Sequence, residues 1–77
     1  MNRKLKLIWD FRGPASQKTA EHHCLHLKEF PAIEKLHFYE VNLEVISEMH
    51  SIAYITIDEI DVKTFRDALK PHRGQLA

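Results

Sequence analysis

The chain has 77 residues, 44% of them hydrophobic, and its eleven Lys and Arg residues balance eleven Asp and Glu residues. This length fits one domain, and zero net charge disfavours nonspecific nucleic-acid binding, which requires a basic surface. The single cysteine, Cys24, excludes an internal disulfide, and no apolar run approaches the roughly 20 residues of a membrane span. We expect one cytoplasmic domain over residues 1–77, with neither a nucleic-acid nor a membrane partner.

The first third of the chain predicts a strand followed by a helix. Residues 4–11 alternate in polarity, which is typical of a strand with one buried face. From Ala15 to Phe30 apolar residues recur at helical spacing, and we expect Pro31 to end this helix. The predicted buried residues are Leu5, Leu7, Trp9 and Phe11 on the strand, and Ala20, His23, Cys24, Leu27 and Phe30 on the helix.

The remainder predicts two strands, a second helix and a short tail. Residues 36–46 are rich in β-branched and aromatic residues and predict a long strand with room for a bulge. The alternative is a short helix capped by Asn42. Residues 51–58 are apolar on both faces, as in a central strand covered on each side. We expect Asp61 to begin a second helix, and residues 72–77 hold at most a degenerate final strand.

The resulting order, β-α-β-β-α, indicates an α+β fold of the ferredoxin-like type, with two helices on one face of an antiparallel sheet. The opposite face would hold Ile8 and half of the side chains of the third strand. Such a surface is too apolar to remain in contact with water, so we expect a homodimer packed sheet to sheet. A 77-residue chain without disulfides also benefits from a partner subunit.

Several short segments are similar to YCII-related proteins of the dimeric α/β barrel superfamily. The similar segments are a histidine–leucine stretch with a later apolar residue at 26–30, an apolar strand at 52–57, an acidic turn at 58–61, and the pair Pro71 and His72. The resemblance implies a ferredoxin-like dimer. It also implies a pocket, lined by the sheet or lying between helix and sheet, that uses the histidine of the first helix.

Three histidines within five residues, His22, His23 and His26, form the most distinctive motif. His22 and His26 are four residues apart and therefore lie on one side of the helix, where they could chelate a divalent transition metal. The motif lacks the glutamate of the zinc protease pattern HExxH. A third ligand would come from elsewhere, with Asp10, His50 and His72 as candidates.

A second hypothesis uses the same region for acid–base chemistry. His26 lies at the flank of the apolar stripe, where we expect the rim of a pocket, and Asp10 and His50 are candidate acid–base partners. These three residues form the predicted catalytic set. His23, on the stripe itself, is either a core imidazole bonded to backbone or a buried base whose pKa is lowered by burial.

The segment from Trp9 to Pro14 predicts an anion site. It ends a strand and begins a helix, where free N–H groups and the helix dipole attract a carboxylate or phosphate, and Arg12 adds positive charge. In the ordinary interpretation Trp9 is core, Arg12 is in solvent and Asp10 pairs with a cation. The predicted ligand-binding residues are Trp9, Arg12, His23 and Tyr54.

Three functions therefore stay open. The first is a dimeric module that binds a small molecule or performs acid–base chemistry near His26. The second is a metal-binding protein that uses His22 and His26. The third is a structural or interaction dimer in which the histidines have no role. The sequence leaves the reaction class open.

Overall fold

A computed structural model describes residues 3–77; the first two residues of the predicted domain lie outside this range. Neither helix in the described part is long and apolar enough to cross a membrane. The elements are β1 (Lys4–Arg12), α1 (Ser16–Glu34), β2 (Glu40–Ser47), β3 (His50–Asp58), a 3-10 turn (Glu59–Asp61), α2 (Val62–Leu69) and β4 (Arg73–Leu76).

The four strands form one sheet in the order β2-β3-β1-β4, and every neighbouring pair is antiparallel. β1 and β3 occupy the centre, and their register places Ile8 opposite Tyr54. On its other side β1 pairs with β4, so that Ile8 also lies opposite Arg73. The predicted α+β class, with an antiparallel sheet and two helices, is confirmed, and the tail adds a fourth strand to the predicted order.

Both helices cover the same face of the sheet, which we call the inner face. The odd-numbered residues of β1 and β3 point towards it, because alternate side chains of a strand lie on opposite faces. α1 contributes three buried residues of the predicted stripe and α2 contributes Phe65, which is fully buried. The core consists of Leu7, Trp9, Ala20, Cys24, Leu27, Ala53, Ile55, Ile57 and Phe65.

The opposite, outer face is largely polar. Its side chains are Lys4, Lys6, Ile8, Asp10 and Arg12 from β1, His50, Ile52, Tyr54, Thr56 and Asp58 from β3, Glu40, Asn42 and Glu44 from β2, and Arg73 and Gln75 from β4. Ile8 and Ile52 are only 2% and 4% exposed in a single chain. Long charged residues surround them in the sheet, and such residues can lay their stems over apolar surface. The two isoleucines that motivated the sheet-to-sheet dimer are thus already shielded from water.

Helix α1 extends beyond Pro31, and the prediction that this proline ends the helix is wrong. Within the last turn, a proline removes the hydrogen bond to one carbonyl, here that of Leu27, while its fixed φ remains helical. Pro31 is buried, so its packing offsets that loss. The helix ends instead at Glu34, and the following residue, Lys35, has a left-handed φ of 56° and donates its N–H to the Pro31 carbonyl.

Strand β2 begins at Glu40, four residues later than predicted, and a bulge lies between Val45 and Ser47. Leu36 and Phe38 precede the strand yet pack against the core, which explains why their alternation is strand-like. The alternative helix capped by Asn42 is wrong, because Asn42 lies within β2 and pairs with Tyr54.

Phe65 is the one fully buried side chain of the short helix α2, so its packing should decide whether α2 stays docked. We expect Phe65→Leu to lower the free energy of unfolding by about 1–2 kcal/mol and Phe65→Ala by about 3–5 kcal/mol, measured by urea denaturation. Ile60→Ala is the matched control, since Ile60 is 81% exposed and should change stability little. Equal effects of Phe65→Ala and Ile60→Ala would contradict this account of the core.

Candidate functional site

The strongest polar cluster of the described chain lies on the outer face around Asp10. Its Oδ1 atom is 2.9 Å from Nε2 of His50. The guanidinium of Arg73 donates two bonds to the same carboxylate, from Nε to Oδ2 at 3.0 Å and from Nη2 to Oδ1 at 3.2 Å. We call Asp10, His50 and Arg73 the outer-face cluster.

Sheet register brings these three residues together. Asp10 lies directly opposite Ile52 on β3, so His50, two residues earlier, is a diagonal neighbour. On the other side of β1, Arg73 lies opposite Ile8 and reaches Asp10 along the opposite diagonal. Asp10 therefore receives one partner from each strand adjacent to β1.

The two partners keep Asp10 ionised. Hydrogen bonds from Arg73 first and His50 second lower the pKa of Asp10 from 3.8 to about 2, against an opposing effect of burial. An ionised carboxylate only accepts hydrogen bonds, so the contacting Nε2 atom of His50 bears a proton. In the neutral imidazole the remaining nitrogen, Nδ1, then has a free lone pair and can accept a proton.

His72, which immediately precedes β4, adds hydrogen bonds between this segment and β1. The backbone N–H of Asp10 donates to Nδ1 of His72 at 2.8 Å, while the backbone N–H of His72 donates to the carbonyl of Ile8 at 2.9 Å. Nδ1 must be unprotonated to accept this bond, which assigns the Nε2–H tautomer to neutral His72. The segment that follows α2 is thus fastened to the same strand that holds the cluster.

Two predicted ligand-binding residues, Arg12 and Tyr54, share the outer face with the cluster. Arg12 lies directly opposite His50, is exposed and forms no ion pair within the described residues. The Nζ atom of Lys6 lies 3.8 Å from the centre of the Tyr54 ring, and burial, then the nearby Glu40, raise the pKa of Tyr54. Four of the predicted site residues, Asp10, Arg12, His50 and Tyr54, therefore lie on one surface.

The predicted anion site at the start of α1 is less open than its sequence indicated. The N–H of Ser16 donates to the carbonyl of Gly13, which removes one of the free donors. A second N–H of the turn, that of Gly13, donates to the carbonyl of Met49. Arg12 projects from the outer face, whereas α1 covers the inner one.

The histidines of α1 do not join the outer-face cluster. Nε2 of His22 and Nε2 of His26 are 3.1 Å apart on the exposed side of the helix, and Nδ1 of His26 is 3.5 Å from Glu29. No contact joins His26 to Asp10 or His50 in the described chain. Within residues 3–77 no group of three His, Cys, Asp or Glu side chains is arranged to hold a metal ion.

Trp9 and His23 belong to the inner side of the sheet. Trp9 is 3% exposed, and its indole Nε1 donates to the carbonyl of Leu69 at 3.0 Å, as expected for a core residue. The ring of His23 lies 4.9 Å from that of Trp9 and 5.4 Å from that of Phe11. Nε2 of His23 is buried without a hydrogen-bond partner among the described residues. Burial, more than the neighbouring histidines, lowers its pKa, as one of the two interpretations anticipated.

Arg73 completes the outer-face cluster but is not among the predicted site residues. It follows Pro71 in a short polar segment without useful periodicity, and only the pairing of β4 with β1 places it beside Asp10. The ordinary interpretation of the segment from Trp9 to Pro14 did predict that Asp10 pairs with a cation. The identity of the cation depends on strand order, which local sequence does not reveal.

The lowered pKa of Asp10 predicts a specific acid sensitivity. Because the native pKa lies below 3.8, unfolding becomes easier as the pH falls through 3.8 towards 2. We expect this carboxylate to account for about 1 kcal/mol of the acid-induced loss in unfolding free energy, after allowance for solvent screening. In urea denaturation between pH 5 and pH 2, Asp10→Asn should be less stable than the native chain at pH 5 and should show the smaller dependence on pH.

Glu21→Gln provides a control for that experiment, because Glu21 is an exposed carboxylate of α1 outside the cluster. It should preserve the pH dependence of the native chain. An Asp10→Asn profile parallel to that of the native protein would contradict the role assigned to the hydrogen bonds from Arg73 and His50.

Comparisons with known proteins found no match to a protein-family model, to a curated protein or to a solved structure.

Proposed function

We propose that this protein binds a small anionic molecule on the outer face of its sheet and that His50 exchanges a proton with it. The observation behind the proposal is the 2.9 Å contact between His50 Nε2 and an Asp10 carboxylate kept ionised by Arg73. A histidine oriented by a carboxylate is a recurrent arrangement for general acid–base catalysis. His50 thus takes the role that the sequence assigned to His26.

Each residue of the surface has a distinct task in this proposal. Asp10 accepts the Nε2 hydrogen of His50, which fixes the orientation of the ring and leaves Nδ1 as the nitrogen that exchanges a proton with the bound molecule. Arg73 is a positioning residue, because both of its contacting nitrogens are directed at Asp10. Arg12, opposite His50 and without an acidic partner in the described chain, supplies the charge that attracts a carboxylate or phosphate.

We further propose that two copies pack through their outer faces as a ferredoxin-like homodimer. Support comes from the element order β-α-β-β-α-β together with the strand order β2-β3-β1-β4. Support also comes from the resemblance of several segments to YCII-related proteins. A facing copy would exclude water from the cluster and would turn an open surface into an enclosed site.

Charge on the outer face is divided between its two halves, which favours a second copy as the partner. The half formed by β1 and β4 contains Lys4, Lys6, Arg12 and Arg73, with Asp10 the one acidic exception, whereas the half formed by β2 and β3 contains Glu40, Glu44 and Asp58. A two-fold axis parallel to the strands would place the acidic half of each copy over the basic half of the other. Such an interface is self-complementary, as two-fold symmetry requires.

A second candidate function is metal binding through His22 and His26. The 3.1 Å separation of their Nε2 atoms shows that the two rings converge on one point of the α1 surface. Neutral imidazoles spaced in this way suit a divalent transition metal, with further ligands from water or another chain. The outer-face cluster favours the first proposal, because it combines an oriented histidine with an available cation.

Anion binding is tested by NMR titration with inorganic phosphate and with succinate, following the backbone amides and the histidine rings. We expect shifts at His50 and around Arg12, and roughly tenfold weaker binding in Arg12→Gln or His50→Gln, because each removes a charged or polar contact. His26→Gln is the matched control and should bind as the native chain does. Equal weakening in all three variants, or shifts confined to α1, would exclude this site.

Native mass spectrometry across a concentration series tests the dimer. We expect a dimer whose dissociation constant rises roughly tenfold or more in the double variant Glu40→Lys with Glu44→Lys, because like charges then face each other. The control, Glu21→Lys with Glu34→Lys, makes the same change in net charge on exposed positions of α1. A monomer at every concentration, or the same weakening in both variants, would reject the sheet-to-sheet arrangement.

The same spectra, recorded after addition of zinc, test the second candidate. Stoichiometric zinc lost in His22→Ala would support a metal function. Zinc uptake that is unaffected by this substitution would reject it.

A further inference from the structure

A groove lies on the inner side of the sheet, between α2 and β4, with a volume of about 450 Å³. Of the outer-face cluster only Arg73 also lines this groove, and its guanidinium is bonded to Asp10 on the other face of the sheet. Its lining is mostly apolar and consists of Leu5, Leu7, Val62, Arg66, Pro71, Arg73, Gly74, Gln75 and Leu76.

The groove exists because the sequence leaves this part of the inner layer incompletely filled. Gly74 is the β4 residue opposite Leu7, and it places no side chain beneath α2. A Cβ atom at that position would lie 3.3 Å from Cδ2 of Leu7, so any side chain there would press against Leu7 at the floor of the groove. α2 has eight residues and buries one of them fully, Phe65, which leaves the side towards β4 open.

The charge of the groove indicates what it can hold. Two arginines and no acidic residues line it. The guanidinium of Arg73 is engaged by Asp10 on the outer face. Arg66 is 60% exposed, and its contact with the equally exposed Asp67 is 3.7 Å long, which makes it a weak pair. Arg66 therefore offers a positive charge at the rim of an otherwise apolar space.

We propose that this groove binds a straight-chain carboxylic acid of medium length. The alkyl chain lies over Leu5, Leu7 and Val62, and the carboxylate meets Arg66 at the rim. The volume falls within the roughly 300–1,000 Å³ that small-molecule sites occupy, and such sites combine apolar walls with a few polar groups. Leu76, which is 62% exposed at the edge of the groove, becomes covered when the chain is bound.

Isothermal titration calorimetry with hexanoate, octanoate and decanoate, each below its micelle-forming concentration, tests the proposal. We expect affinity to rise about fourfold for each added methylene, as burial of apolar surface requires, until the groove is full. The matching alcohols should bind roughly three- to tenfold more weakly than the acids, because they lack the charge that Arg66 recognises. Arg66→Gln should abolish that difference between acid and alcohol.

Two variants test the location of the alkyl chain. Gly74→Val fills the groove from β4 and Val62→Phe fills it from α2, so each should reduce the affinity for decanoate at least about tenfold. If Gly74→Val does not fold, Val62→Phe still tests where the alkyl chain lies. Lys63→Gln, on the exposed side of α2 and outside the lining, is the control and should bind normally.

The fluorescence of Trp9, the single tryptophan, provides a second readout, because its indole is bonded to the carbonyl of Leu69 at the end of α2. Binding should change its emission in the native chain and in Lys63→Gln. Affinity that is independent of chain length, or that neither filling variant reduces, would overturn the proposal. Preference for the alcohol over the acid would overturn the role of Arg66.

Discussion

Two segments that are distant from β1 in the sequence are joined to it at Asp10, one around His50 and one at residues 72–73. Its carboxylate accepts hydrogen bonds from His50 on β3 and from Arg73 on β4, and its backbone N–H donates to His72 in the segment after α2. β4 has only four residue pairs with β1, too few to specify its register strongly by backbone pairing alone. The contacts with Asp10 help to fix the register of β4 on β1. The same residue therefore organises both the sheet edge and the candidate site.

The strict alternation of β1 makes the core and the site interdependent. Leu7 and Trp9 pack beneath the helices, while Asp10 and Arg12 face the other way. A slip of β1 by one residue would exchange the two sets, exposing the core residues and burying a carboxylate. The free energy gained by burying the inner-face side chains of β1 therefore also determines which of its side chains lie on the outer face. This coupling lets a chain of only 77 residues hold several polar side chains in a defined arrangement.

Sequence periodicity was informative wherever one face of an element is buried. It correctly placed Leu7, Trp9 and Leu27 in the core, and the alternation of β1 leaves Asp10 on the opposite side of the strand. The proposed association of Asp10 with His26 relied on their closeness along the chain. The alternation of β1 already argued against it, because an even-numbered side chain points away from α1.

The features of the fold and of the candidate site that the sequence could not predict are those that depend on strand order and register. Nothing local to His50 or Arg73 indicates that each is a diagonal neighbour of Asp10. The groove was likewise hidden, because its space results from Gly74 lying beneath α2 rather than from any motif. Pro31 was misjudged for a different reason: its usual effect on helices is offset where it is buried in the final turn.

The placement of β1 between β3 and β4 also has a kinetic consequence. The bonds of Asp10 reach residues 40 and 62 positions further along the chain, so β1 must wait for both partners to be synthesised. The β2–β3 hairpin is the one strand pair that can form locally, and we expect it to precede the rest of the sheet. Until β1 has joined both of its neighbouring strands, Leu7 and Trp9 remain exposed to solvent. The interval between synthesis and sheet closure is thus when this chain is most exposed to aggregation.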